Sequence, residues 1–372
     1  MRTTDRENEL LSVAADRPAF DPTRCINRRQ RRFVCSVCTE HCPDQVFTLN
    51  AKEALKWQRC TDCGFCAALC PTRCFAPSAN SHRQMTEQTD LDRGALFVCD
   101  EAAPFGEKSV RCLAAVPWEL LAVYAMNTQL TLCVGACERC AHGEWAESLG
   151  VQLGLLREFL GEERWKAQVR LVDEAPKESD APKEEKSVTR REMFAGVKRS
   201  VTKNLVQAAA ARLPMLAGYE AEPMQYRRLL AELAAGERKR AQAARQEDAS
   251  APLPSYGVLL PRFTARCFGC GICEKMCPQK AIEIGPEADG KRMIYLTPWK
   301  CTGCGLCHKA CPHGGIQALG TVRAPYLTRL PLVRVNSASC ERCGTAIAPG
   351  GDIKLCPACR AKSPLLRDKT HK

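Results

Sequence analysis

Three stretches of the sequence repeat one cysteine spacing: Cys60-x2-Cys63-x2-Cys66-x3-Cys70-Pro71, Cys267-x2-Cys270-x2-Cys273-x3-Cys277-Pro278 and Cys301-x2-Cys304-x2-Cys307-x3-Cys311-Pro312. Thiolates are soft ligands, and three of them spaced two residues apart on a tight loop can grip three corners of a cubic [4Fe–4S] core. Gly64, Gly271 and Gly305 leave the backbone free to approach the inorganic sulfides. A fourth copy is degenerate, because Cys35-x2-Cys38-x3-Cys42-Pro43 lacks its first cysteine. Cys25 fills that role if the nine residues INRRQRRFV between Cys25 and Cys35 loop out. Such a loop adds little closure entropy. The alternatives are a three-cysteine site, or Cys74 as the fourth ligand. Aligned after each Cys-Pro, Cys74 stands in the slot of Val46, Ala281 and Gly315, so it reads as a buried small side chain.

Two further groups carry chemistry. Cys340-x2-Cys343 and Cys356-x2-Cys359 have the spacing of a tetrahedral Zn(Cys)4 knuckle. Rubredoxin-type iron uses the same geometry, and a redox-active dithiol pair is the third option. Cys99, Cys112, Cys133, Cys137 and Cys140 crowd into a short stretch; Cys99, Cys112, Cys137 and Cys140 form a candidate metal site, with Cys133 as bystander. The alternatives there are reduced thiols in a docking domain, or a disulfide. The six histidines show no spaced pair for a mononuclear site. His308 and His313, beside Cys307 and Cys311, either tune a cluster by hydrogen bonding to sulfur or are solvent-exposed, and the second is the expected reading.

The elements that must position these groups follow from pattern. Ala95–Cys99, Ser109–Cys112, Gln129–Val134 and Val169–Val172 read as strands, and Trp118–Met126 and Trp145–Leu160 as helices. That order gives a small parallel α/β sheet, with Cys99, Cys112 and Cys133 near strand C-termini, where such sheets place sites. Ile282–Ile284 and Met293–Leu296 read as short strands. Val201–Leu213 and Met224–Arg245 read as helices. The second, with Arg or Lys at 227, 228, 238, 239, 240 and 245, reads as solvated or partner-facing.

The paired cysteine runs resemble the bacterial 2[4Fe–4S] dicluster ferredoxins, once over about 22–80 and again over about 258–320. In that family the fourth cysteine of each run crosses to the other cluster. The resemblance therefore implies four [4Fe–4S] clusters, held by Cys25, Cys35, Cys38 and Cys70; Cys60, Cys63, Cys66 and Cys42; Cys267, Cys270, Cys273 and Cys311; and Cys301, Cys304, Cys307 and Cys277. FVCD at 97–100, VRCLAAVPWELLAVYAM at 110–126 and LCVGACERC at 132–140 resemble the delta-subunit family of methyl-viologen-reducing hydrogenases. That likeness implies an additional iron–sulfur cluster and electron transfer to partner flavoenzymes. The sequence departs from that family at Cys99-Asp100-Glu101, which lacks a second cysteine close after the first strand.

The expected fold is α+β and multidomain. Two ferredoxin-like 2[4Fe–4S] modules (22–80 and 258–320) flank a small α/β domain (90–172) and a helical segment (189–247). A zinc-ribbon-like knuckle (336–362), an N-terminal tail (1–21) and a charged linker (173–188) complete it.

Several functions are disfavoured. No GxGxxG follows a strand, and there is no P-loop and no HExxH. No apolar run reaches the roughly 18 residues of a membrane span. The start, MRTTDRENELLSVAADRP, has no apolar core of a secretory signal, so a cytoplasmic location is expected. Lys and Arg total 54 against 42 Asp and Glu, a formal balance of +12. Four cubes with their thiolates bring about −8 and a Zn(Cys)4 site about −2, leaving roughly +2. The basic excess thus reads as compensation for clusters, and nucleic acid is not expected as a partner. The expected function is a relay of single electrons between a redox enzyme (a dehydrogenase, hydrogenase-like protein or flavoenzyme) and another carrier. A redox enzyme subunit with an open metal site at 99–140 and a nucleic-acid-binding iron–sulfur protein are the alternatives.

Overall fold

The computed structural model describes residues 17–29, 35–48, 55–86, 89–90, 94–103, 109–140, 143–174, 222–250, 252–286, 291–349 and 354–362. The helix expected over 201–213, and most of the tail at 1–21 and the linker at 173–188, lie outside these residues. The chain divides into two compact units, 1–236 and 237–372.

The first unit begins with β1 (Ala19–Phe20) and three short helices, α1 (Ile26–Arg29), α2 (Val37–Glu40) and α3 (Phe65–Leu69). Then β2 (Phe75–Ala76) returns to pair antiparallel with β1. This pairing is short because its task is local. It stacks Phe20 on Phe75 at 4.8 Å between ring centroids, and Phe75 meets Phe47 edge-on at 5.1 Å. Val46, Phe47, Ala67 and Phe75 form a small core together with Cys66, Cys70 and Cys74.

Helix α4 (Ala79–Thr86) leads to a four-stranded sheet built from β3 (Thr89–Asp90), β4 (Gly94–Phe97), β5 (Leu130–Cys133) and β6 (Val169–Val172), in that order. Strands β4, β5 and β6 run parallel, and β3 is an antiparallel edge. The crossovers are α5 (Trp118–Asn127) and the pair α6 (Ala146–Leu160) and α7 (Glu162–Gln168). Helix α5 is buried from Trp118 through Ala125, which explains why its sequence is apolar on every face. Gly161, at φ +82°, ends α6 with its amide on the Arg157 carbonyl.

The strand expected over Ser109–Cys112 shrinks to a single parallel bridge from Val110 to Cys99. Beyond Cys112 the chain turns through a 3-10 segment, Leu113–Ala115, on its way to Pro117, so it cannot stay extended.

Helix α8 (Gln225–Glu247) begins in the first unit, burying Tyr226, Leu229, Leu230 and Ala234 there. This start corrects the reading of Arg227 as part of a solvated basic face. Arg227 is 5% exposed and pairs at 3.2 Å with the buried Glu119 of α5, which also pairs with Arg73 at 2.8 Å. A carboxylate 108 residues earlier makes burial of that guanidinium tolerable.

The second unit contains a long antiparallel hairpin-like pair and a three-stranded sheet. Its elements are β7 (Tyr256–Phe263), α9 (Ile272–Met276), β8 (Ile282–Pro286), β9 (Lys291–Leu296), α10 (Leu306–Lys309), β10 (Ile316–Ala324) and β11 (Leu330–Asn336). Strand β10 pairs with β7, and the sheet order is β11-β9-β8, all antiparallel. The sheet therefore continues past residue 320, where the sequence pattern of cysteines ends. Its core is Ala281, Ile282, Ile294, Leu296, Ile316 and Val335 with Cys273. The unit closes with β12 (Ala338–Ser339), β13 (Ala346–Ile347) and α11 (Pro357–Ala361).

Candidate metal centres

The three intact cysteine runs share one backbone course. Between the first and second cysteines, Asp62, Gly269 and Gly303 are left-handed, at φ +57°, +72° and +71°. Directly after the second cysteine, Gly64, Gly271 and Gly305 are left-handed at +84°, +82° and +69°, and each starts a short helix. In the degenerate run Ser36 takes the place of these glycines and is right-handed, at φ −104°.

All four runs agree after the fourth cysteine. Gln45, Arg73, Lys280 and Gly314, three residues on, are left-handed at φ +50°, +48°, +51° and +60°. The next amide turns back and donates to the cysteine sulfur: Val46 to Cys42 (3.4 Å), Cys74 to Cys70 (3.4 Å), Ala281 to Cys277 (3.3 Å) and Gly315 to Cys311 (3.2 Å). An N–H aimed at a sulfur favours its thiolate, the form that binds iron. The residues present therefore fit iron–sulfur groups.

Within each region several thiols lie near enough to raise one another. Burial pushes Cys38 up to about 12, with Cys70, Cys25 and Cys35 adding to the rise. Burial raises Cys66 well above the ordinary range, helped by Cys63, Cys60, Cys42 and Cys70. Cys273 reaches about 12 through burial, then Cys267, Cys270 and Cys311. Cys307 does the same through burial, then Cys301, Cys304, Cys273 and Cys277. Crowded thiolates repel one another, and a cationic core reverses that repulsion.

Cys25 and Cys35 are linked by a residue that spacing did not single out. Asn27 donates from Nδ2 to the Cys35 carbonyl at 2.7 Å and accepts the Cys35 amide on Oδ1 at 2.7 Å. This two-bond clamp ties the ends of the insertion together. Cys74 is buried, as its slot suggested, yet it does more than fill space: its Sγ lies 3.3 Å from Cys70 Sγ and it hydrogen-bonds to Cys25.

The cysteines of 99–140 surround a cavity of about 410 Å³ at the C-terminal ends of β4 and β5. Cys99, Cys112, Cys137 and Cys140 line it, and so does Cys63 of the second run. Burial pushes Cys112 up to about 11, with Cys99, Cys137 and Cys140 contributing. Cys133 stays apart, donating from Sγ to the Asp173 carbonyl at 3.4 Å. Phe65 of α3 packs on Trp145 at 4.2 Å, and Gly64 lies so close to the Cys112–Ala115 turn that a Cβ would sit 3.3 Å from that of Ala115.

The last four cysteines are spaced differently. Among the described residues, only Cys340, Cys343, Cys356 and Cys359 bring their ligand atoms within 4.8 Å of one another. Cys343 and Cys356 sulfurs are 3.7 Å apart. A tetrahedron with metal–sulfur bonds of about 2.3 Å has edges of about 3.8 Å. The amide of Cys356 donates to Cys340 Sγ at 3.3 Å and that of Cys359 to Cys356 Sγ at 3.4 Å. This group suits a single metal ion, whereas the other cysteine groups are spread more widely. His308 and His313 are exposed, as expected.

Residues 266–315 match the family model described as 4Fe-4S dicluster domain. The matched stretch contains both the Cys267–Cys277 and the Cys301–Cys311 runs, and it marks an iron–sulfur domain of the electron-transfer kind. No curated protein matches the chain. Among the described residues, no helix is long and apolar enough to cross a membrane.

Proposed function

We propose that this chain is a multi-cluster electron-transfer protein carrying two ferredoxin-like modules, and so four [4Fe–4S] clusters in the crosswise sets named above. The observation that carries this reading is the left-handed residue and amide-to-sulfur bond repeated after Cys42, Cys70, Cys277 and Cys311. It extends the shape of the matched region to the two runs outside it. Bound clusters would accept and release one electron each. The chain's own residues gather the thiols, donate to their sulfurs and keep them partly shielded from water. Cys99, Cys112, Cys137 and Cys140 hold a further iron–sulfur group, and Cys63 in the same cavity wall puts that group next to the cluster of Cys42, Cys60, Cys63 and Cys66. Cys340, Cys343, Cys356 and Cys359 hold one Zn²⁺ as a folding staple. The partner is a redox protein, a dehydrogenase, hydrogenase-like protein or flavoenzyme.

Anaerobic counting of iron, sulfide and zinc per chain, with EPR of the reduced protein, tests this. About sixteen irons from the four cubes, further iron lost only on Cys112→Ser, and one zinc support it. A chain that keeps only the iron of the matched region refutes it.

One observation favours a second reading, a redox enzyme subunit acting at 99–140: the cavity's volume of about 410 Å³ lies in the range of small-ligand pockets. An EPR signal of that site that shifts with cyanide, a small exogenous ligand, supports an open coordination position. A signal unchanged by cyanide supports the relay.

A further inference from the structure

The four equivalent slots after the Cys-Pro turns hold Val46, Cys74, Ala281 and Gly315. Only Cys74 has a side chain that can donate a hydrogen bond. It is 2% exposed, its Sγ is 3.3 Å from Cys70 Sγ, and it also hydrogen-bonds to Cys25. Cys70 and Cys25 as ligands are thiolates and can only accept, so the shared proton sits on Cys74. Cys70 Sγ receives two further donors, the Cys74 amide at 3.4 Å and the Thr72 hydroxyl at 3.5 Å. The position before the slot is also distinctive. Arg73 holds Glu119 and donates to the Cys70 carbonyl at 3.3 Å.

We propose that Cys74 is a tuning residue whose buried thiol donates to the sulfur of Cys70, making the cluster of Cys25, Cys35, Cys38 and Cys70 the most oxidising of the four cubes. This rests on the four-cluster reading above. Adding one electron makes a cluster and its sulfurs more negative, and hydrogen-bond donors at those sulfurs stabilise that state. Electrons entering the chain therefore collect at this cluster, next to the clamp of Asn27, and leave from it.

The test is a potentiometric titration followed by EPR on the full chain, reconstituted anaerobically, as wild type, Cys74→Ala and Cys74→Ser. Both variants are expected to keep the wild-type iron and sulfide content. The highest midpoint moves negative in Cys74→Ala and largely returns in Cys74→Ser, whose hydroxyl donates, while the other midpoints stay in place. A highest midpoint unmoved at full iron content overturns the proposal. Loss of one cluster's iron in Cys74→Ala overturns it too, because Cys74 is then a ligand. Failure of the underlying reading looks different: wild-type iron content unchanged by Cys25→Ala.

Discussion

Replacing Asn27 by alanine should weaken one cluster and spare the rest. Nine residues separate Cys25 from Cys35, against two between the corresponding cysteines of the intact runs. Closing the longer loop costs about 1.3 kcal/mol more, since each doubling of length adds about 0.6 kcal/mol. The two bonds of Asn27 to the Cys35 backbone, both 2.7 Å, contribute about 1 kcal/mol each and more than offset that cost. Losing about 2 kcal/mol corresponds to roughly thirtyfold weaker holding of the Cys25–Cys35–Cys38–Cys70 cluster. The assay is iron release to a strong ferrous chelator under anaerobic conditions. In Asn27→Ala one cluster's iron should leave early, roughly thirtyfold more readily, with the remaining phases unchanged. Asn27→Asp, which keeps the acceptor and loses the donor, should fall between. Release traces that coincide with wild type, or that accelerate uniformly, would refute the clamp.

Glu119→Gln removes the buried carboxylate that Arg73 and Arg227 both contact and should cost about 3 kcal/mol or more. Amide exchange along Tyr226–Ala234 should then speed up by roughly a hundredfold; replacing Glu119, Arg73 and Arg227 together by apolar residues should restore much of the protection. Gly315→Val places a Cβ 3.0 Å from the Cys267 Cα, and its branches have nowhere to go. It should lower iron content at the Cys267 set while Gly154→Ala, on α6 with open space around it, leaves occupancy at the wild-type level. Cys343→Ser should release one zinc to a chelator that wild type resists, with iron and sulfide counts unaltered.

The iron–sulfur domain of 266–315 was legible because local spacing does the work there. Gly64, Gly271 and Gly305 marked loops where the backbone must stay unhindered, and the helix around Leu120 and Leu121 announced itself by a nearly continuous apolar run. What escaped notice depends on residues far apart in the chain. Arg227 looks like any basic helix residue until Glu119 is set beside it. Strand β11 follows the last cluster cysteine and carries no cysteine, so only its pairing with β9 ties it to the sheet. Asn27 is anonymous within an arginine-rich stretch, and Cys74 gave away its burial but not its two sulfur neighbours. Asp62 is left-handed where its counterparts are Gly269 and Gly303, and nothing in its residue type required that.

The contact between Gly64 and Ala115, with Phe65 on Trp145 beside it, bears on how such a protein can be inherited. A cysteine loop pressed against a foreign turn can no longer be exchanged as a cassette, because each change on one side must be answered on the other. The Cys60–Cys66 loop and the sheet that follows it are therefore expected to be gained, lost and redesigned together.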